Sequence, residues 1–184
     1  MQIFRCLICG DTFVMRDKPK NCPYCGSDEQ YIVLTVNYPD DINRVTLTPQ
    51  EHDDLLHASQ LEYTNATFYV DLGKIDPPSA LASLYRHLAK IEKEHLTVFS
   101  KLLNQPVDAL DFERDVVLPK GSWDDNIAIS TQQEIDARDF YDLAAGRANS
   151  PRVAQVFRAI AQVEASHIEV DVIAQRIADG MESE

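Results

Sequence analysis

Basic residues are scarce in this chain. Its 184 residues carry 17 Lys and Arg against 30 Asp and Glu, for a formal charge of −13. Nucleic acid demands a basic face, and an anionic membrane surface attracts one, so the charge argues against both partners. Long apolar runs are lacking as well; none approaches the roughly 18 residues needed to span a bilayer. The opening residues, Met1-Gln2-Ile3-Phe4-Arg5-Cys6, have no apolar stretch of the kind that heads a secretory signal. A cytoplasmic location is the expectation. Cysteine is sparse too, with four in all. A reducing cytosol keeps thiols free, so these four point to metal rather than to disulfides. Hydrophobic content is ordinary at 45%, enough for a packed core, and the length allows one domain or a large and a small one.

What is present is a repeat. Glu62 is followed thirty positions later by Glu92, and three further on by His95. Glu134, Glu164 and His167 restate the pattern 72 positions downstream. The surrounding wording repeats too: Phe68-Tyr69 follows Glu62 at the offset at which Phe140-Tyr141 follows Glu134. One Glu and one Glu-x-x-His on each of two helical hairpins is the ligand set of a carboxylate-bridged dinuclear site inside a four-helix bundle. Four carboxylates offset two divalent ions, and neutral imidazoles complete the shells. Iron or manganese suits that donor set; zinc takes fewer and softer ligands.

The helix signals agree with this reading. Thr48-Pro49-Gln50-Glu51 is a helix start, with Thr as the cap, Pro at the first position and Glu closing a capping box. Helix 1 is expected to run to about Leu72 and stop at Gly73. Helix 2 is expected from Asp76-Pro77 to about Leu103, helix 3 from about Asp125 to Gly146, and helix 4 from Ser150-Pro151 to about Asp179. Short turns within each pair predict antiparallel hairpins. The twenty or so residues between them, 105–125, predict the long crossover of a ferritin-like bundle. At helical spacing, the ligands share apolar stripes: Leu55, Glu62, Ala66 and Tyr69; Tyr85, Leu88, Glu92, His95 and Phe99; Ile127, Glu134 and Tyr141; Phe157, Ile160, Glu164, His167 and Val170. An unpaired carboxylate on such a stripe would cost several kcal/mol, so six interruptions at matching heights call for cations. Tyr69 and Tyr141, two turns from their Glu, are either core residues with a satisfied hydroxyl or hydrogen-bonding and redox partners of the metals. His52, His57 and His87 fall outside the repeat and carry no expected role.

Residues 1–36 form a second unit, joined through a linker at 37–47 to the bundle at 48–184. Cys6-x-x-Cys9-Gly10 and Cys22-Pro23-Tyr24-Cys25-Gly26 are paired thiolate turns separated by twelve residues. Gly after each second Cys permits the close backbone approach of such a turn. Four thiolates suit a single iron or Zn²⁺, and the spacing leaves that choice open. A unit this small depends on its metal for much of its folding energy. Ile3, Phe4, Phe13, Tyr24, Tyr31, Ile32 and Val33 are expected to form a small core beside it, with strands at 2–5 and 30–35.

With both motifs placed, the chain resembles rubrerythrin-type proteins over nearly its full length. Its Cys turns resemble rubredoxin iron knuckles, and the duplicated Glu and Glu-x-x-His resemble the ferritin-like di-iron half. The resemblance implies two irons bridged by Glu92 and Glu164. It makes Glu62 and Glu134 terminal ligands, with His95 and His167 completing one iron each. It implies reduction of hydrogen peroxide to water, with an iron held by the four cysteines relaying electrons from an upstream donor. It also implies a homodimer in which one subunit's module faces the other's di-iron site. Two departures stand out: the rubredoxin-like module comes first here, and Ala137, with its counterpart Asn65, stands where better-known members carry a further Glu after the helix 3 ligand. A ferroxidase using the same centre, and a non-enzymatic scaffold with structural zinc, are the competing readings.

Overall fold

The computed structural model describes residues 1–75, 79–112 and 117–181. A three-stranded antiparallel sheet opens the chain: β1 (Gln2–Cys6), β2 (Thr12–Met15) and β3 (Ile32–Leu34), in the order β2-β1-β3. β1 pairs Phe4 with Phe13 on one side and with Leu34 on the other. The sheet buries Phe4, Phe13 and Ile32 against the four cysteines. The sequence reading missed β2, whose four residues are too short to show alternation. Two of the expected core residues are misplaced. Ile3 (54% exposed) and Tyr24 (44% exposed) point outward, because alternation along β1 turns Phe4 inward and Ile3 away, and because Tyr24 sits at the tip of a Cys turn.

Four helices follow: α1 (Pro49–Leu72), α2 (Ala80–Leu103), α3 (Trp123–Arg147) and α4 (Pro151–Ala178). The capping box at Thr48 and Glu51 is formed as expected, and α1 stops at Gly73. The expected start of helix 2 at Asp76-Pro77 lies outside the described residues; Ser79 caps α2, accepting from Ala82 N. α3 starts two residues earlier than expected, where the Ser122 hydroxyl accepts from Asp125 N. α2 ends on Asn104 in the left-handed conformation (φ 53°), a geometry that Asn tolerates.

α1 packs on α2 and α3 on α4, and the hairpins meet through α1–α3 and α2–α4. Between the hairpins, the described part of the connection includes a short 3-10 turn at Val107–Ala109. The fold is thus mainly α, a Cys-rich β module followed by a four-helix bundle. Glu51 serves both hairpins at one end: its carboxylate accepts from Thr48 N at the start of α1 and from Ser150 N at the start of α4.

The module rests on its own bundle. Arg152 on α4 donates to the Ile8 carbonyl and to Asn43, and Lys101 on α2 donates to the Cys9 carbonyl. Arg5 stacks over Tyr38, 3.7 Å from the ring centroid, which folds the chain after β3 back along the module. Gly26 (φ 73°) lies so close to α4 that a Cβ there would sit 2.9 Å from Val163 Cγ1.

Candidate metal centres

The two Cys turns are copies of one backbone design. Gly10 N donates to Cys6 O at 2.9 Å and Gly26 N to Cys22 O at 3.0 Å, both glycines at positive φ. Backbone N–H groups then turn inward, with Ile8 N 3.3 Å from Cys6 Sγ and Asp11 N 3.4 Å from Cys9 Sγ. All four thiols are free and buried. Cys6 and Cys25 Sγ are 3.8 Å apart, as are Cys9 and Cys22. That is far too long for a disulfide. Four sulfurs roughly 2.3 Å from a central ion have tetrahedral edges of about 3.8 Å, so the spacing fits one metal ion. Ser27 Oγ, 3.2 Å from Cys6 Sγ and 3.3 Å from Cys25 Sγ, is a polar neighbour that the sequence reading did not single out.

In the bundle the six duplicated residues converge in two overlapping groups. Glu62, Glu92, His95 and Glu164 form one, and Glu92, Glu134, Glu164 and His167 the other. Glu92 and Glu164 belong to both; each remaining Glu and His belongs to one. All six side chains are buried. His95 Nδ1 lies 3.5, 3.3 and 3.1 Å from carboxylate oxygens of Glu62, Glu92 and Glu164. His167 Nδ1 lies 3.0, 3.5 and 3.1 Å from those of Glu92, Glu134 and Glu164. Yet Glu62 Oε2, both oxygens of Glu92, Glu134 Oε2, Glu164 Oε1 and His95 Nδ1 lack a hydrogen-bond partner. Buried lone pairs aimed at a common centre without hydrogens between them suit cations.

The electrostatics say the same. Burial, then the charge of Glu164, pushes the Glu62 carboxyl well above the usual range; burial, then Glu92, does so for Glu134. Burial alone would depress the two imidazoles, but the surrounding carboxylates outweigh it and raise both. A buried cluster this rich in carboxylates favours positive charge among them, as protons or as cations.

Each tyrosine crosses to the opposite hairpin. Tyr141 Oη donates to Glu62 Oε1 at 2.7 Å, and Tyr69 Oη donates to Glu134 Oε1. Asn65 and Ala137 are buried; Asn65 Nδ2 has no partner. His52, His57 and His87 stand away from the centre, His57 edge-on to Phe140.

One contact joins the two centres. His95 Nε2 lies 3.0 Å from the carbonyl oxygen of Cys25. A carbonyl only accepts, so Nε2 carries the hydrogen and Nδ1 is left as a lone pair facing the carboxylates. Nothing in the residue pattern announces this bond, because a backbone carbonyl has no side-chain signature. Ser130 and Asp171 were also missed. A faint signal existed for Asp171, which continues the Glu164–His167 stripe one turn further along α4.

A four-cysteine module hydrogen-bonded to a four-helix bundle with a duplicated Glu and Glu-x-x-His core defines the class: a mainly α protein with two buried side-chain groups that could each hold metal. Among known proteins, the chain is similar to reverse rubrerythrin-1 of Clostridium acetobutylicum, with 24% identity over 119 residues, 59% of this chain and 66% of that protein's length. No family model matches the chain, and no solved structure does. No helix among the described residues is long and apolar enough to cross a membrane.

Proposed function

We propose that the protein is a non-haem di-iron oxidoreductase that reduces hydrogen peroxide to water, with iron in the four-cysteine module relaying electrons to the bundle. The observation that carries this reading is the His95–Cys25 hydrogen bond, which ties a donor set suited to one-electron transfer to a donor set for two metals. In this reading Glu92 and Glu164 hold both irons, Glu62 and His95 complete one, and Glu134 and His167 complete the other. Two ferrous ions held there would supply both electrons that converting peroxide to two waters requires, alongside two protons.

The chain's own residues do the rest. The buried carboxylates would hold the ions together in a core closed to solvent. Tyr69 and Tyr141 fix the outer carboxylates by hydrogen bonds. His95 holds its ring in one tautomer through Cys25. An upstream electron donor is the proposed partner of the module. A homodimer is the proposed assembly, and the His95–Cys25 contact within one chain gives each subunit its own path between the two groups.

A ferroxidase or other iron-handling role uses the same bundle but gives the docked module no task. A scaffold role needs zinc in place of the thiolate-bound iron. The deciding experiment combines metal analysis, visible spectrum and stopped-flow mixing. Protein made with ample iron is expected to hold about three irons, to show thiolate-to-iron charge-transfer bands, and to react faster with peroxide than with oxygen when reduced. Two irons with one zinc would remove the electron-entry role. Equal rates with both oxidants would favour the ferroxidase.

A further inference from the structure

The seam between α1 and α3 holds a buried amide that the six metal-ligand residues do not use. Tyr69 on α1 donates to Glu134 on α3, and Tyr141 on α3 donates to Glu62 on α1. The earlier residue of each helix is bonded to the later residue of the other, so the two helices run antiparallel across the cluster. One turn inward from the Glu62–Tyr141 bond stand Asn65 on α1 and Ala137 on α3. One turn inward from the Tyr69–Glu134 bond stand the same two residues. Asn65 and Ala137 therefore face each other midway between the outer carboxylates. Ala137 is fully buried and offers only a methyl group, and Asn65 is 2% exposed. Asn65 Nδ2 has no hydrogen-bond partner among the described residues. Acceptors stand one turn away on either side: Glu62 Oε2 and Glu134 Oε2 are buried and unpartnered too, yet the amide bonds neither. A buried N–H without an acceptor is costly, and a bond to a carboxylate would have been favourable, so the amide is not a brace for the outer carboxylates.

We propose that Asn65 is a substrate-binding residue, its Nδ2–H donating to a small ligand with an acceptor lone pair, hydrogen peroxide or a linear anion of like size, bound at the α1–α3 seam of the cluster. The proposal deepens the peroxide-reducing reading and rests on it for the identity of the substrate. The ligand must be small because the seam is closed to solvent: Glu62, Asn65, Tyr69, Glu134, Ala137 and Tyr141 are all buried. A neutral amide suits the place. Four carboxylates already offset two divalent ions, so a donor without charge holds a neutral peroxide or a singly charged anion without upsetting that balance. Asn65 keeps its hydrogens throughout. Its contribution is orientation, with one end of the ligand held by the amide and the other left to the ions. The arrangement is one-sided, since Ala137 has no hydrogen to donate and the ligand is drawn toward α1.

The alternative is an amide that only fills space in the seam. The test uses the full chain loaded with iron, and azide as the probe, a linear anion with acceptor lone pairs. Absorbance titration of the oxidised protein reads azide affinity, and the infrared stretch of bound azide reads its hydrogen bonding. Metal content and stopped-flow oxidation of the reduced protein by peroxide complete the set. Asn65→Ala removes the donor, and the facing, equivalent place is already Ala137, so the variant is expected to fold and keep its iron. Asn65→Leu removes the donor and keeps the bulk. The exchange Asn65→Ala/Ala137→Asn moves the amide to the facing helix. Both single variants should bind azide about tenfold more weakly, shift its stretch, and react about tenfold more slowly at low peroxide concentration. The exchange should recover most of the affinity, which a space-filling role would not. Unchanged azide affinity and stretch in both single variants, or wild type that binds no azide, overturns the proposal while the function stands. Iron lost from both single variants makes Asn65 a support of the ions and overturns it as well. An exchange variant no tighter than Asn65→Ala overturns the facing geometry and the proposal with it. Wild type that binds azide through Asn65 but is inert to peroxide overturns the function and leaves the small-ligand site standing.

Discussion

The α1–α2 hairpin and the α3–α4 hairpin contribute matching ligands, yet each has different company. The end of the cluster held by His95 is bonded to the four-cysteine module through Cys25, and its Glu62 is fixed by a tyrosine set in aromatic packing. Among the described residues the end held by His167 has no such tie to the module, and its Glu134 is fixed by a tyrosine backed by Ser130, with Asp171 and Tyr85 nearby. The metal-ligand residue types repeat, while the residues behind them differ between the two ends. On the proposed function, electrons enter at the His95 end.

The comparison is broken most severely at the shared carboxylates. Glu92→Ala or Glu164→Ala is expected to release both cations, leaving about one iron per chain. Glu62→Ala or Glu134→Ala should release one, leaving about two. Metal analysis after desalting checks this, and full retention in Glu92→Ala would show that neither group needs its shared member. The histidines come next. His95→Ala and His167→Ala should each weaken the ion at their own end by roughly tenfold or more. Only His95→Ala should also slow re-reduction from the module, which stopped-flow monitoring of the thiolate–iron band reads. Equal slowing in both would deny the His95–Cys25 bond its special place.

A smaller effect is expected where the module meets α4. Gly26→Ala places a side chain at positive φ, at a cost of about 1–2 kcal/mol, and drives a Cβ to 2.9 Å from Val163 Cγ1. Gly10→Ala has the same φ problem but meets only the Tyr38 hydroxyl, at 3.2 Å. Thermal unfolding should therefore separate the two copies of the turn, with Val163→Ala partly restoring Gly26→Ala alone.

The smallest effect is expected at the seam between the hairpins. Burial raises the Glu51 carboxyl, but backbone N–H groups of Thr48 and Ser150 outweigh it and hold the group below the ordinary carboxylate value. A depressed folded value means that its contribution is complete above the unfolded value and lost as pH falls through the folded one. Glu51→Gln should cost about 1 kcal/mol near neutral pH. Its stability should then fall less steeply than wild type on acidification below the ordinary carboxylate range, as denaturant titrations across pH would show.

Much of this was legible in the residues. The helices were readable because strong signals bound them: Thr48-Pro49 and Ser150-Pro151 at starts, Gly73 at a stop. Glu62, Glu92, His95, Glu134, Glu164 and His167 converge on one buried centre because helical spacing puts them on inward stripes. What escaped depends on tertiary packing. The orientation of Ile3 and Tyr24 is set by strand register and turn shape, neither of which composition reveals. Ser130 and Asp171 belong to no motif, and only the packing of α1, α3 and α4 brings them near Tyr69. The Cys25 carbonyl could not be anticipated at all.

That carbonyl has a consequence for how the protein behaves on dilution. Because His95 and Cys25 belong to one chain, the two centres meet at an effective molarity fixed by the fold, not by how many copies are in solution. On the proposed function, a hand-over across the bond would be unimolecular. Its rate constant should stay the same from micromolar to nanomolar protein, and only the step that loads the module from outside should thin out with concentration.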